Sequence, residues 1–462
     1  VVLVVIAVRL IEERGKAMTV SNIDAPRFAQ EPLEWHGHAH SDRVDPDEIA
    51  VCVVVGRTSE FFDFFVYAIA SVLIFPKLVF SFVDPLTGTI CSFGVFALAF
   101  VARPFGTVIF MAVDRGLGRG VKLTLALLLL GGSTMAVAFL PGFSQIGMES
   151  VVILALLRIG QGLAMGGAWD GLASLLALNA PEERRGWYAM MPQLGAFLGL
   201  LIASGLFAYF ATYVSAEDFI GWGWRYPFFI VAALNIVALF VRLRMSLTPG
   251  YEKLYESHEL QPATVKATVK GQGHTILIGA FVPLASFALF HIVTVFPFSW
   301  VVLFTSENPG WFLSLQMIGA GVGVLAVIAS GLISDWVGRR VLLGVTAGAI
   351  AVFSWFAPRL LGAGDESIGL YLIVGFALLG LSFGQASGAI AANFPSAYRY
   401  TGSALTTDLA WLFGAAFAPL VALVLASQFG LVMVGVYLFS GAVCTLAALA
   451  VDRKLAVQIR DR

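Results

Sequence analysis

Glu60 and Asp63 stand three residues apart in Glu60-Phe61-Phe62-Asp63-Phe64-Phe65-Val66-Tyr67. On a helix that spacing puts both carboxyls on one face. Two carboxyls so close can share a proton, which is the chemistry of a proton carrier; near a helix end the same pair can instead brace neighbouring helices. Arg103 presents a guanidinium fork suited to a carboxylate. It either holds a substrate carboxylate or pairs with Asp63 or Glu60. Arg158 and Gln161 share another helical face, where a structural network or a solute contact would use them. Asp170 lies about 18 Å further along the same helix axis, with no basic residue of its own helix near enough to neutralise it. Asp408 is a second acid isolated in apolar sequence, and both are expected to titrate or to bind a cation. His291, between Phe290 and Ile292, has a side chain whose ordinary titration lies near neutrality, although a packed structural histidine fits the position as well. Tyr67, Trp169 and Trp300 offer ring faces for a quaternary ammonium group or for packing. Gln193 and Gln385, like Asn235, Gln316 and Asn393, can line a site or join helices by hydrogen bonds.

The elements that carry these groups are apolar. Hydrophobic residues make up 59% of the chain and charged residues 12%, with a mean hydropathy of +0.87. A soluble domain carries about 25% charged residues, so the solvent for most of this chain is lipid. Each intramembrane charge then costs about 2.5–3.5 kcal/mol on insertion scales and needs a reason. Twelve apolar runs are long enough to span, near 50–80, 88–112, 122–141, 150–177, 187–213, 224–243, 274–304, 311–334, 340–358, 367–393, 402–427 and 430–451. A helix break is expected near Pro297. A polar connection over 244–273 divides the runs six and six. The expected domains are a polar tail over 1–48 (with Met18 as a candidate start that would leave 1–17 outside the native protein), a six-helix bundle over 49–243, the 244–273 linker, a second bundle over 274–451 and a tail over 452–462.

A repeat joins the two halves. Asp114-Arg115-Gly116-Leu117-Gly118-Arg119 ends one apolar run, and Asp335-Trp336-Val337-Gly338-Arg339-Arg340 ends another in the second half. Each makes a tight polar hairpin between spans, the mark of a two-fold transporter with its site at the repeat interface. Seventeen Lys and Arg residues fall on one set of loops and tails, against Lys77, Arg225 and Arg359 on the other. The positive-inside rule then places both termini in the cytoplasm.

The remaining signals exclude other classes. Cys52, Cys91 and Cys444 show neither metal-ligand nor disulfide spacing. His36, His38 and His40 alternate in the polar N-terminal segment without a carboxylate or Cys framework, so a solvated tail is expected and no metal. No nucleophile elbow, metal motif or phosphate loop falls at a membrane face. No enzyme, cofactor or nucleic-acid partner is expected.

In sequence order, several motifs resemble the major facilitator superfamily, and within it the metabolite:proton symporters that carry proline, betaine, α-ketoglutarate, citrate and shikimate. They are the Glu60–Tyr67 segment, Ala102-Arg103-Pro104-Phe105-Gly106, Arg158-Ile159-Gly160-Gln161-Gly162 with Gly166-Gly167-Ala168-Trp169, and Pro181 to Gly186. Trp222-Gly223-Trp224-Arg225-Tyr226-Pro227 and Tyr398-Arg399-Tyr400-Thr401-Gly402 complete the series. The resemblance runs from about Gly56 to Val451 and implies an all-α membrane fold of twelve helices in two six-helix bundles. It further implies proton symport of a small organic solute by alternating access in a bacterial inner membrane. Ala168 stands where the family usually has Glu, Gly120 where it has a basic residue, Leu247 where a Glu often precedes Thr248-Pro249, and Asp408 where an uncharged polar residue is expected. The first hairpin Asp stands one residue early. These departures touch coupling and substrate rather than fold. The expected solute is a carboxylate-bearing metabolite, with a zwitterionic osmolyte as the alternative and a non-transporting membrane sensor as the rival class. Solute, protons and lipid are the expected partners of a monomer.

Overall fold

The structure, a computed structural model, describes residues 46–168, 171, 173, 176, 180–246, 262–391 and 394–460. Trp169, Asp170 and Asn393, the three N-terminal histidines and residues 247–261 of the 244–273 connection lie outside the described residues. In apolar solvent a chain must satisfy its backbone internally, and the described residues are almost wholly helical. The first half holds α1 (Pro46–Leu73), α2 (Pro85–Leu117), α3 (Arg119–Ala138), α4 (Glu149–Gly167), α5 (Arg185–Tyr213) and α6 (Arg225–Ser246). The second begins with α7 (Val265–Phe281), α8 (Leu284–Thr294) and α9 (Phe296–Phe304), then α10 (Pro309–Val337) and α11 (Arg339–Gly362). It continues through α12 (Asp365–Phe383), α13 (Ala386–Ala391), α14 (Ser396–Gly414), α15 (Ala418–Phe429) and α16 (Val432–Arg460).

Among the described residues eleven spans are long and apolar enough to cross a membrane. α1 is 28 residues long but carries Arg57, Glu60 and Asp63 within one apolar stretch, so length qualifies it and charge does not. It is the twelfth span of the fold, and its charges belong to the site. The break expected near Pro297 falls at Val295, between α8 and α9.

The repeat extends beyond the hairpins. α2 begins at Pro85 with Asp84 accepting the backbone N–H groups of Leu86 and Thr87, both at 3.1 Å. α10 begins at Pro309 with Asn308 accepting the Gly310 N–H at 2.7 Å. A capping oxygen followed by Pro is a strong helix start. The same two helices end at Gly118 and Gly338, with φ of 85° and 84°. That left-handed backbone favours glycine, and it turns the chain at once into α3 and α11.

Small residues set the distances between helices. α2 and α4 pack so closely that a Cβ at Gly166 would overlap the Arg103 carbonyl, and one at Gly162 would overlap the Ala99 carbonyl. This approach holds the backbone of Arg103 in place. α5 packs along both α1 and α10, so it touches both halves.

Candidate substrate and proton site

Between the halves lies a cavity lined by Arg57, Glu60, Arg103, Gln193 and Arg242, with Trp411, Phe287 and Phe383 on its apolar side. Its volume, about 50 Å³, is room for a few water molecules. Glu60 serves two guanidiniums: Arg57 Nη1 lies 2.7 Å from one carboxylate oxygen and Arg242 Nη2 donates to the other. Arg103 is paired across the molecule. Its Nε lies 2.8 Å from Asp408 Oδ1 on α14, and the Thr107 hydroxyl donates to Asp408 Oδ2 at 2.5 Å. The expected partners of Arg103 were Asp63 or Glu60, and Asp408 was expected to stand alone. The structure corrects both, because Asp408 comes from the other half and no spacing along one helix foretells it.

Asp63 sits apart from these ion pairs, 3% exposed. Thr134 Oγ1 donates to both of its oxygens at 3.0 and 2.8 Å, and Asn235 Nδ2 donates at 2.9 Å. Among the described residues neutral donors alone hold it, an arrangement that suits a carboxylate as acceptor. Gln161 Nε2 donates to Thr134 Oγ1 at 2.8 Å, and Arg158 Nη1 donates to Gln161 Oε1 at 3.0 Å. A continuous chain thus links Arg158 to Asp63 through two neutral side chains. Arg158 is fully buried, with its guanidinium over the Tyr67 ring at 4.0 Å and over Phe96 at 4.7 Å.

An aromatic layer separates these groups. Phe61, Phe64 and Phe100 of the first half meet Phe290 and Trp411 of the second, with ring centroids 5.8–6.3 Å apart. His291 lies among them, 5.6 Å from Phe64 and 5.5 Å from Phe96. Neither of its nitrogens has a hydrogen-bond partner among the described residues. Its surroundings are those of a packed ring and not of a proton relay. Trp300 lies tilted against Phe304 with ring centroids 4.3 Å apart, away from the cavity lining.

The hairpins tie the two halves to each other. Asp335 accepts the backbone N–H of Gly186 at 2.5 Å and of Trp187 at 3.2 Å. Lys122 lies 3.1 Å from Asp114 and donates to the Tyr400 hydroxyl at 2.8 Å, while Arg119 lies over the Tyr400 ring. Arg339 donates to the Gly388 carbonyl at 2.7 Å and to Gln385 Oε1 at 3.2 Å. Arg340 donates to the Leu449 carbonyl, and Arg115 reaches toward the Ala263 carbonyl at 3.5 Å. Gln385, expected either to line a site or to join helices, donates to the Gly186 carbonyl at 3.0 Å. The break after α12 turns its side chain toward Gly186 of α5 and Arg339 of α11.

Sequence reasoning missed Arg57 and misplaced Arg242. Arg57 stands one turn before Glu60, a spacing that signals the pair. Arg242 sits near a basic helix end and reads as a loop residue, yet it is only 5% exposed and faces Glu60. Thr107 and Thr134 carry no sequence signal, since a single hydroxyl in an apolar helix is ordinary. Among the described residues no cluster could hold a metal ion.

The Major Facilitator Superfamily model matches residues 58–412. The chain belongs to the major facilitator superfamily. This facilitator is 36% identical over 412 residues to the inner membrane metabolite transport protein YhjE of Escherichia coli, covering 87% of this chain and 93% of that protein. It is 28% identical to the shikimate transporter of E. coli, covering 85% of this chain and 91% of that one, and 27% identical to the proline/betaine transporter of Salmonella typhimurium, covering 85% and 80%. In fold it matches a D-xylose-proton symporter with a TM-score of 0.66 at 18% identity, over 87% of this chain and 96% of that one. It is therefore a multi-pass membrane transport protein of the metabolite-carrier kind, and not an enzyme.

Proposed function

We propose that this facilitator is a proton-coupled symporter of a small carboxylate-bearing metabolite, set in a bacterial inner membrane with both termini in the cytoplasm. The segments 49–243 and 274–451 are the two bodies that rock, and the 244–273 connection links them. The observation that carries the substrate class is the charge of the cavity. Arg57, Arg103 and Arg242 face it, against the carboxylates of Glu60 and Asp408. The guanidinium fork of Arg103 opens on the cavity, and a carboxylate is the group that such a fork fits. The proton is carried by an interior carboxyl. Glu60, clamped between two guanidiniums, is the poorest carrier, and Asp63 and Asp408 are the better ones.

One observation favours a zwitterion such as a betaine as the second reading. Trp411, Phe287 and Phe383 line the same cavity as Arg103, and ring faces attract a quaternary ammonium. The proline/betaine and shikimate relatives fall on either side of this choice. Uptake into proteoliposomes under an inward proton gradient, with monocarboxylates, dicarboxylates, glycine betaine and sugars as competitors, tests the reading. Competition by monocarboxylates is expected, and competition by sugars alone would overturn it.

A further inference from the structure

The ion pair between Arg103 and Asp408 joins the two halves inside the membrane. Arg103 lines the cavity, whereas Asp408 reaches it from α14 behind the guanidinium. A carboxylate is thus already seated on the one lining arginine that Glu60 does not touch. Asp408 also stands where carriers of this kind are expected to hold an uncharged polar residue.

Resting on the carboxylate reading above, we propose that Asp408 is a built-in stand-in for the solute: the entering carboxylate takes its place on Arg103, and Asp408 then takes the cotransported proton. Displaced from Arg103, Asp408 keeps one contact, the Thr107 hydroxyl. Breaking a buried ion pair by removing one partner is strongly unfavourable, and a proton from the solution removes the stranded charge. The balance closes. Before binding, three guanidiniums face Glu60 and Asp408; afterwards the same three face Glu60 and the solute, with Asp408 neutral. The cavity keeps its charge only if one proton enters with each carboxylate.

The groups around Asp408 are consistent with this role. From α2 come Arg103 and Thr107. α8 contributes His291, which is buried among rings. α13 has no ionisable residue, and Lys266, Lys270 and His274 of α7 are exposed. On α14 itself Tyr398, Arg399 and Tyr400 lie at the far start of the helix. Arg103 is the one cation in contact with the carboxylate among the described residues. Exchange also unlatches the halves, so a solute lacking a carboxylate would leave the latch shut.

The test uses purified full-length protein in weakly buffered detergent, with pyruvate, shikimate and succinate as probes. Binding is followed by tryptophan fluorescence and proton uptake by a pH dye. The parent should take up close to one proton per carboxylate bound. Asp408→Asn should bind the same carboxylate several-fold more tightly with no proton uptake, while Asp63→Asn keeps the uptake. An infrared difference spectrum of the parent should show a carboxylate band lost and a protonated carboxyl band gained on binding, which needs no variant to fold. Proton uptake unchanged in Asp408→Asn, or lost only in Asp63→Asn, would overturn the proposal. Undiminished binding in Arg103→Gln, or binding of none of the three probes by the parent, would instead overturn the carboxylate reading.

Discussion

The Lys122 ammonium on α3 donates to the Tyr400 hydroxyl on α14 at 2.8 Å, so a hairpin of one half is tied to a helix of the other. Asp335 makes the reciprocal tie, from the second hairpin to the start of α5. Both lie on the face that carries the two Gly-Arg turns. The repeat thus builds two ties between the halves, and the proposed alternating access requires them to break for solute to leave.

Breaking a latch should open that face. Hydrogen bonds to a charged group are worth about 1.5–3 kcal/mol, so Asp335→Ala should shift the population by about tenfold or more. In a background without native cysteines, a cysteine at Gln193 reports the change. Its labelling by a membrane-impermeant maleimide from the Gly338 side should rise several-fold. Equal labelling with and without Asp335 would remove the gating role.

The two hairpin glycines should behave alike. Gly118 and Gly338 share a left-handed φ, and a Cβ would meet nothing within 4 Å at either. Only the backbone penalty remains, about 1–3 kcal/mol for a non-glycine residue in that conformation. Gly118→Ala and Gly338→Ala should therefore lower the thermal unfolding temperature by similar modest amounts. A large loss in one alone would show that the two turns are not equivalent.

His291 should tolerate replacement by another ring. It is fully buried, packs against Phe64, Phe96 and Phe290, and has no polar partner among the described residues. His291→Phe should keep gradient-driven accumulation within about twofold, because it exchanges one packed ring for another. If accumulation were lost while counterflow exchange survived, His291 would rejoin the coupling residues.

Orientation has its own check. Epitope tags at Gln261 and at the C-terminus should be protected in intact cells, and one at Ser215 should be reached from outside. The seventeen-to-three split of basic residues motivates this. An exposed tag at Gln261 would invert the assignment.

Much of the fold was legible because it is written in local patterns. The apolar runs follow from composition, and the Asp-to-Gly-Arg turns repeat within short windows. What the sequence concealed is what crosses the bundle. Arg103 and Asp408 lie 305 positions apart and meet only because the halves face each other. Gln385 reads equally as a cavity residue or a helix-joining one, and only the break after α12 aims it at Gly186. Arg242 reads as a loop cation because it stands beside a helix end, although it is itself buried and reaches Glu60 on α1. Asp63 was singled out correctly as a costly buried acid, but its chain through Thr134 and Gln161 to Arg158 joins three helices and has no linear signature.

The most direct test of the account is proton movement driven by a carboxylate. Proteoliposomes with a trapped pH dye, their membrane voltage clamped by potassium and valinomycin, receive an external pulse of shikimate, pyruvate or succinate. Protein-free liposomes correct for passive entry of the free acids. The account predicts that at least one of the three acidifies the lumen at a rate that depends on the parent protein and disappears in Arg103→Gln. Protein-dependent uptake of a carboxylate with no accompanying acidification would contradict it.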